Sequence, residues 1–350
     1  MMTDQSTPAT SSARHQALRQ WAAERIGAST IGLTPASSDA SFRRYWRLVH
    51  AGERFILMDA PPEHEDCGRF ADLSRQFRAI GLNTPEVYAE DRARGFLMLS
   101  DFGDRTYLHV LNETTADRLY GDALGALAII QACGPTEGLP SYDAAFLRRE
   151  LGLFREWFLE GLLGLRLSAD ESRMLAEVED RLVASALAQP SVCVHRDFHS
   201  RNLMLIDGPA NNPGILDFQD AVVGPVTYDL VSLLRDCYIA WPPERVQDWA
   251  LGYLHLAHQS GILRSTEPET FLRWLDLMGA QRHLKVCGIF ARLHLRDGKS
   301  HYLDDIPRIL AYLREVAARA PGLDGLLRLL DGRVARALDA IGPAATNGLS

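Results

Sequence analysis

The chain has 350 residues, 47% hydrophobic and 23% charged, enough apolar content for one large core or two lobes. Its net charge of −8 is spread over interspersed acids and bases, which excludes the concentrated basic face that nucleic-acid binding requires. Five cysteines stand singly, so neither a disulfide framework nor a structural zinc site is expected.

Residues 1–12, rich in Ser, Thr and Pro, read as a disordered tail, with no apolar core of a secretory signal. A helix is expected over residues 14–26, where Ala17, Leu18, Trp21, Ala22 and Ile26 recur near helical spacing. The texture then changes. SFRRYWRLV (41–49) and RFILMDA (54–60) are aromatic and β-branched runs joined by the turn at residues 50–53. A helix is predicted over residues 67–80, ended by Gly81, and TPEVYAED and GFLMLSDFG (84–103) supply two more strands. Residues 13–103 therefore predict a small, mostly antiparallel sheet with a helix lying across it.

From residue 104 to 345 the pattern is helical. TTADRLYGDALGALAIIQAC opens with capping chemistry, and AAFLRRELGLFREWFLEGLL, SADESRMLAEVEDRLVASAL and YDLVSLLRDCYI keep helical periodicity. Only residues 190–220 interrupt with strand-like pieces. The longest apolar run, ALGALAIIQAC, is too short to span a bilayer, so no membrane association is expected and the cytoplasm is the expected location. The fold class predicted is α+β in two lobes.

The interruption holds the chemistry. In VHRDFHSRNLMLIDGPANNPGILDFQD (194–220), the apolar runs LMLI and GILDF flank DGPANNP, which is dense in turn formers. Paired as a hairpin, the runs bring Asn202 and Asp217 to one end. Two hard oxygen donors of this kind suit magnesium, which takes one or two protein groups together with phosphate and water. Asp197, five residues before Asn202, is placed to accept a proton from a hydroxyl during phosphoryl transfer. Singly, Asp197 would be a turn cap and Asp217 a strand-end acid; the joint pattern favours chemistry.

HRDFHSRN followed by ILDFQD resembles the catalytic loop and metal-binding segment of the protein-kinase-like fold, in its aminoglycoside phosphotransferase branch. The resemblance implies a two-lobed kinase-like fold, with ATP as phosphoryl donor and Mg2+ as cofactor. It makes Asp197 the catalytic base, Asn202 and Asp217 the magnesium ligands, and His195 the brace of the loop. Asp229 in GPVTYDLVSLL becomes the acid that caps the next helix and steadies the loop. Asp101-Phe102-Gly103 spells a protein-kinase motif, but it precedes the catalytic loop. LSDFG is read instead as the strand-to-hinge segment, whose backbone at Ser100, Asp101 and Phe102 would hydrogen-bond adenine.

The same resemblance implies a lysine on the third strand for the nucleotide phosphates, yet that run, FILM, ends at Met58, and lysine occurs only at Lys285 and Lys299. Another cation must serve. SSDAS (37–41) stands where the glycine-rich loop would lie, implying nucleotide contacts at Ser38, Ala40 and Phe42. Of the nearby Arg43, Arg44 and Arg47, strand alternation puts Arg44 with Phe42, Trp46 and Leu48, the apolar set expected to face the nucleotide, so Arg44 is the expected cation. The alternative is three solvated arginines on an edge strand. Glu63 and Glu65 are expected to open the helix that normally pairs with the lysine.

SSDASFRRYWRL, FILMDAPPEHED, VHRDFHSRNLM, ILDFQDAVVGPVTYDLVSLLRD and MGAQRHLKVCGIFARL further resemble the bacterial anomeric amino-sugar kinases, across about residues 37–315. That family phosphorylates the C1 hydroxyl of N-acetylmuramate and N-acetylglucosamine in cell-wall recycling. A small-molecule sugar is thus the implied partner, with no protein, nucleic acid or membrane. The lactyl carboxylate of N-acetylmuramate calls for cations, for which Arg282, His283 and Lys285 are candidates, with Arg201, Glu156 and Trp157 as further sugar contacts. The alternative for the 278–293 segment is an amphipathic helix with a solvated basic face. Competing readings are a kinase of another small hydroxyl compound, such as an aminoglycoside, and a pseudokinase scaffold motivated by Met58. GxSxG, HExxH and GxGxxG are absent, which leaves hydrolase, metalloprotease and dinucleotide readings without support.

Overall fold

A computed structural model describes residues 8–38, 42–208 and 212–341. The described chain divides into two compact units: residues up to Thr106 together with Leu203–Gln219, and Tyr107–Asn202 together with residues from Asp220 onward.

In the first unit, five antiparallel strands lie in the order β1 (Leu33–Ser38), β2 (Arg44–His50), β3 (Glu53–Asp59), β5 (Phe96–Ser100) and β4 (Val87–Asp91). Strand β1 was not expected, because LTPASS offers turn formers rather than β-branched residues. Trp46, Leu57 and Met98 are successive cross-strand partners and share one face. That face, with Leu48 and Phe96, is buried against Leu18, Trp21 and Ala22 of helix α1 (Pro8–Ile26). Arg14 of α1 donates to the carboxylate of Asp59 and pins the helix to β3. Residues 8–12, expected in the tail, thus belong to a helix that opens on Pro8, a residue suited to a first turn; residues 1–7 lie outside the described residues.

The opposite face carries Tyr45, Met58 and Leu97 as cross-strand partners. Helix α2 (Cys67–Ala79) agrees with its prediction; Asp66 caps it by accepting from the Arg69 N–H at 3.1 Å. Its Phe70 and Phe77 rings lie 4.8 and 5.8 Å from that of Phe218. Phe218 follows the predicted hairpin, in which Leu203 pairs with Ile215 and Met204 with Gly214. The hairpin was expected in the helical lobe, but it belongs with the sheet. The Ile215 N–H donates to the Asn83 carbonyl and the Leu205 N–H to that of Arg105, both at 2.8 Å. Gly214 is needed there, since a Cβ would fall 2.8 Å from Cδ2 of Phe102.

The second unit is helical around the 30-residue helix Pro268–Asp297, whose residues from Leu277 to Gly288 are all buried. Gly288 lets this helix meet Leu153, where a Cβ would come within 2.4 Å of backbone atoms. Helix Ala169–Leu187 carries a full capping box, Ser168 with Glu171. Within this unit, strand Ser191–Val194 pairs antiparallel with Val222–Pro225 and delivers the chain into the predicted catalytic loop. Among the described residues no helix is long and apolar enough to cross a membrane.

Candidate functional site

The loop is held by a buried carboxylate. Asp229, fully buried at the start of helix Tyr228–Leu234, accepts the backbone N–H groups of His195 at 2.6 Å and Arg196 at 2.9 Å. Burial outweighs these two bonds and pushes its carboxyl up to about 7. Arg196 takes a φ of 78°, a left-handed conformation that the two bonds hold in place. The Asp197 N–H donates to Nδ1 of the buried His195 at 3.2 Å. Further along, the Ser200 N–H donates to Asp236 at 2.9 Å and its carbonyl accepts from the Leu108 N–H at 3.0 Å. His195 and Asp229 thus both accept hydrogen bonds from the backbone of this loop.

Asp197 projects from this frame with its side chain 38% exposed. Burial tends to raise its carboxyl, but Arg282, Lys285, His199 and Arg196 outweigh it and hold it down at about 2. The nearest of these cations is Arg282, with Nη2 3.9 Å from Oδ1. The Asn202 side-chain amide donates from Nδ2 to the Asp197 carbonyl at 3.0 Å, so its oxygen is the atom it would offer a cation.

Behind the loop lies a buried polar network that composition alone did not reveal. Glu150 accepts from Arg196, Tyr142 and Lys285, the last at 2.8 Å. Lys285 and Arg282 both donate to the Tyr228 hydroxyl, at 2.9 and 3.2 Å, and Arg282 donates to the Arg196 carbonyl at 2.9 Å. Burial works to raise the Glu150 carboxyl, yet Lys285 and Arg196 bring it below its ordinary value. Arg282 and Lys285 are therefore not solvated: both are buried among protein partners. Arg282 and Lys285 are the inner support of Asp197. His283 belongs elsewhere: its Nε2 lies 3.0 Å from the Arg235 carbonyl, its ring stacks on Tyr312 at 4.9 Å, and burial pushes it down to about 3. Among the described residues no hydrogen bond or ion pair joins the exposed Glu156 to the loop; it sits on the wide π-type turn Phe154–Leu162. Arg201 does face aromatic groups, its guanidinium 3.7 Å from the Tyr238 ring and 5.9 Å from that of Tyr302. Tyr238 and Tyr302 carried no sequence signal because they lie far apart in the chain.

In the first unit the expected faces are exchanged. The apolar set read as lining the nucleotide, Trp46 and Leu48, packs against α1, and Arg44 is paired across the strands with Asp59. An apolar strand face is buried by whatever helix covers it, and here that helix is the chain's own N-terminal one. Arg43, on the other face, is the buried arginine: its Nη2 lies 3.2 Å from Asp217 Oδ1 and its Nε 3.9 Å from Glu65. Asp217 has a φ of 64° and also accepts from Gln219 Nε2 at 2.9 Å. Phe42 is exposed and stacks on His64, with centroids 4.3 Å apart. Ala40 and the Ser38 side chain lie outside the described residues.

The segment after β5 is tightly committed. Asp101 accepts from Arg47 at 2.7 Å, from Arg54 at 2.9 Å and from the Gly103 N–H at 2.8 Å. The Ser100 N–H donates to the Glu86 carbonyl at 3.0 Å, and Phe102 packs on Gly214. The side chains of Asp101 and Phe102 are structural, so any nucleotide contact here falls to the backbone. Among the described residues no group of three or more His, Cys, Asp or Glu could hold a metal ion.

A model of the phosphotransferase enzyme family, APH, matches residues 32–268, a span that includes Asp197, Asn202, Asp217 and Asp229. The chain is 48% identical over 298 residues to the N-acetylmuramate/N-acetylglucosamine kinase of Pseudomonas putida, covering 85% of this chain and 87% of the relative. The same figures hold for the Pseudomonas aeruginosa protein of that name. Among solved structures, an ADP-bound aminoglycoside phosphotransferase superposes with a TM-score of 0.55 at 16% identity, over 86% of this chain and 98% of that one.

Proposed function

The chain belongs to the phosphotransferase enzyme family, and from that premise we propose that it is an ATP-dependent kinase acting on the anomeric C1 hydroxyl of N-acetylmuramate and N-acetylglucosamine. The observation that carries the reading is Asp197: an ionised, partly exposed carboxylate on a doubly braced loop, in a chain 48% identical to kinases of these two sugars. The aminoglycoside enzymes share the fold at 16% identity, which says nothing about the acceptor.

Asp197 is the residue that accepts the acceptor's proton. Held at about 2, it is a weak base, and it takes the proton only as the oxygen–phosphorus bond forms. A hemiacetal hydroxyl is more acidic than an ordinary alcohol, which suits so weak a base. Arg282 and Lys285 keep the carboxylate ionised, and Asp229 fixes the backbone that aims it.

The carboxylate of Asp217 and the amide oxygen of Asn202 are hard donors of the type magnesium accepts, and two protein groups suffice when phosphates complete the shell. These two residues would hold Mg2+, which when bound neutralises charge on the transferring phosphoryl group. Arg201, over Tyr238 and Tyr302, would contact the sugar. This reading carries with it a cytoplasmic location, where ATP is available, within recycling of wall fragments.

The test is ATP consumption by the purified protein against a panel of free sugars that includes the C1-methyl glycoside of N-acetylglucosamine. N-acetylmuramate and N-acetylglucosamine are expected to be turned over and the blocked glycoside is not. Equal turnover of the glycoside rules out the anomeric position.

A further inference from the structure

We infer that Arg43 supplies the phosphate-binding cation that the third strand lacks, with Glu65 as its anchoring anion. The inference rests on the kinase reading above and adds a residue to its nucleotide side.

A nucleotide triphosphate needs a cation besides its metal, and the chain limits the choice. Met58, at the expected lysine position, is fully buried between Tyr45 and Leu97. Lys285 is committed to Glu150 and Tyr228. Of the arginines on this sheet, Arg47 is bound by Asp101 and Asp104 and Arg54 by Asp101, while Arg44 shares its strand face with Asp59. Arg43 is different. Its side chain is 7% exposed, and its guanidinium spans Glu65 and Asp217.

Asp217 is the residue proposed to bind the divalent cation that the phosphates also bind. A cation claiming Asp217 releases Nη2 of Arg43 beside the incoming phosphate oxygens. The Nε side stays steered by Glu65, on the segment leading into α2. A guanidinium can do both at once, because its five donors lie in a planar fork that fits a carboxylate and a phosphate. An ammonium, a point charge on a free stem, would not span the two. An arginine ahead of β2 and a glutamate ahead of α2 thus replace an ion pair between strand and helix.

The experiment compares binding of ATP, ADP and adenosine, each with Mg2+ and without sugar, by calorimetry on the native protein and on Arg43→Met, Arg43→Lys and Glu65→Gln. Loss of one charge-assisted phosphate contact is expected to weaken ATP and ADP about 10–100-fold in Arg43→Met and leave adenosine unchanged. Arg43→Lys should recover part of that loss, and Glu65→Gln should weaken ATP less than Arg43→Met does. Native affinity for ATP and ADP in Arg43→Met overturns the inference. So does equal weakening of all three ligands, which would mean a damaged fold rather than a lost phosphate contact. Because no sugar is present, failure of the native protein to turn over either amino sugar would sink the acceptor assignment and leave these affinities standing.

Discussion

Replacing Asp229 by alanine tests the brace on which Asp197 depends. Its two oxygens accept the His195 and Arg196 N–H groups at 2.6 and 2.9 Å in a fully buried position, so truncation leaves two donors without partners. At about 1–3 kcal/mol for each orphaned donor, the loss is about 2–6 kcal/mol. For a chain of 350 residues each kcal/mol lowers Tm by roughly 1–1.5 °C. Arg196 would also be freed from its left-handed φ, which costs about 1–2 kcal/mol to maintain, and the following Asp197 would drift. Thermal melts give the stability; kcat measured well below Tm gives the aim of Asp197. Asp229→Asn keeps the volume and one acceptor and should lose about half as much. A pH series adds a sign. Burial raises the Asp229 carboxyl from an ordinary 3.8 to about 7, so the folded state binds its proton more tightly than the unfolded state. The stability this group contributes is full below about 4 and is lost as pH climbs to about 7, by up to roughly 4 kcal/mol. Asp229→Asn lacks that slope. An alanine variant melting within 1 °C of the parent and turning over normally would refute the bracing argument.

Two further outcomes are expected. Asp197→Asn should lower kcat by roughly 10²–10⁴ with ATP affinity little changed, read from steady-state kinetics and nucleotide binding; near-native turnover removes Asp197 from the reaction. Gly288→Ala should destabilise the helical unit by about 1–3 kcal/mol in chemical denaturation, since the added methyl meets the Leu153 backbone at 2.4 Å. An unchanged midpoint would show that the helices move apart freely.

The proposed catalytic loop was legible because its residues are close in sequence and their spacing is the signal. HRDFHSRN keeps Asp197, Asn202 and their neighbours within one loop, and the turn-forming DGPANNP makes the hairpin readable in the same stretch. Helix α2 and the strands β2 to β5 followed from local periodicity and turn chemistry in the same way. Local pattern failed at β1, whose pairing with β2 overrides a poor strand sequence, and at residues 8–12, where helix continues through Ser and Thr.

The chain's own pattern determined the elements, the loop and the identity of the acids, because those depend on neighbours a few residues away. Tertiary packing alone decided which arginine turns toward Asp217. Alternation tells that Arg43 and Arg44 lie on opposite faces, but only the docking of α1 over Trp46 and Leu48 says which face is covered. It likewise put Arg282 and Lys285, read in the sequence either as sugar-binding cations or as a solvated basic face, into an interior network, as Glu150 and Tyr228 from distant segments supply the partners that make these buried charges tolerable.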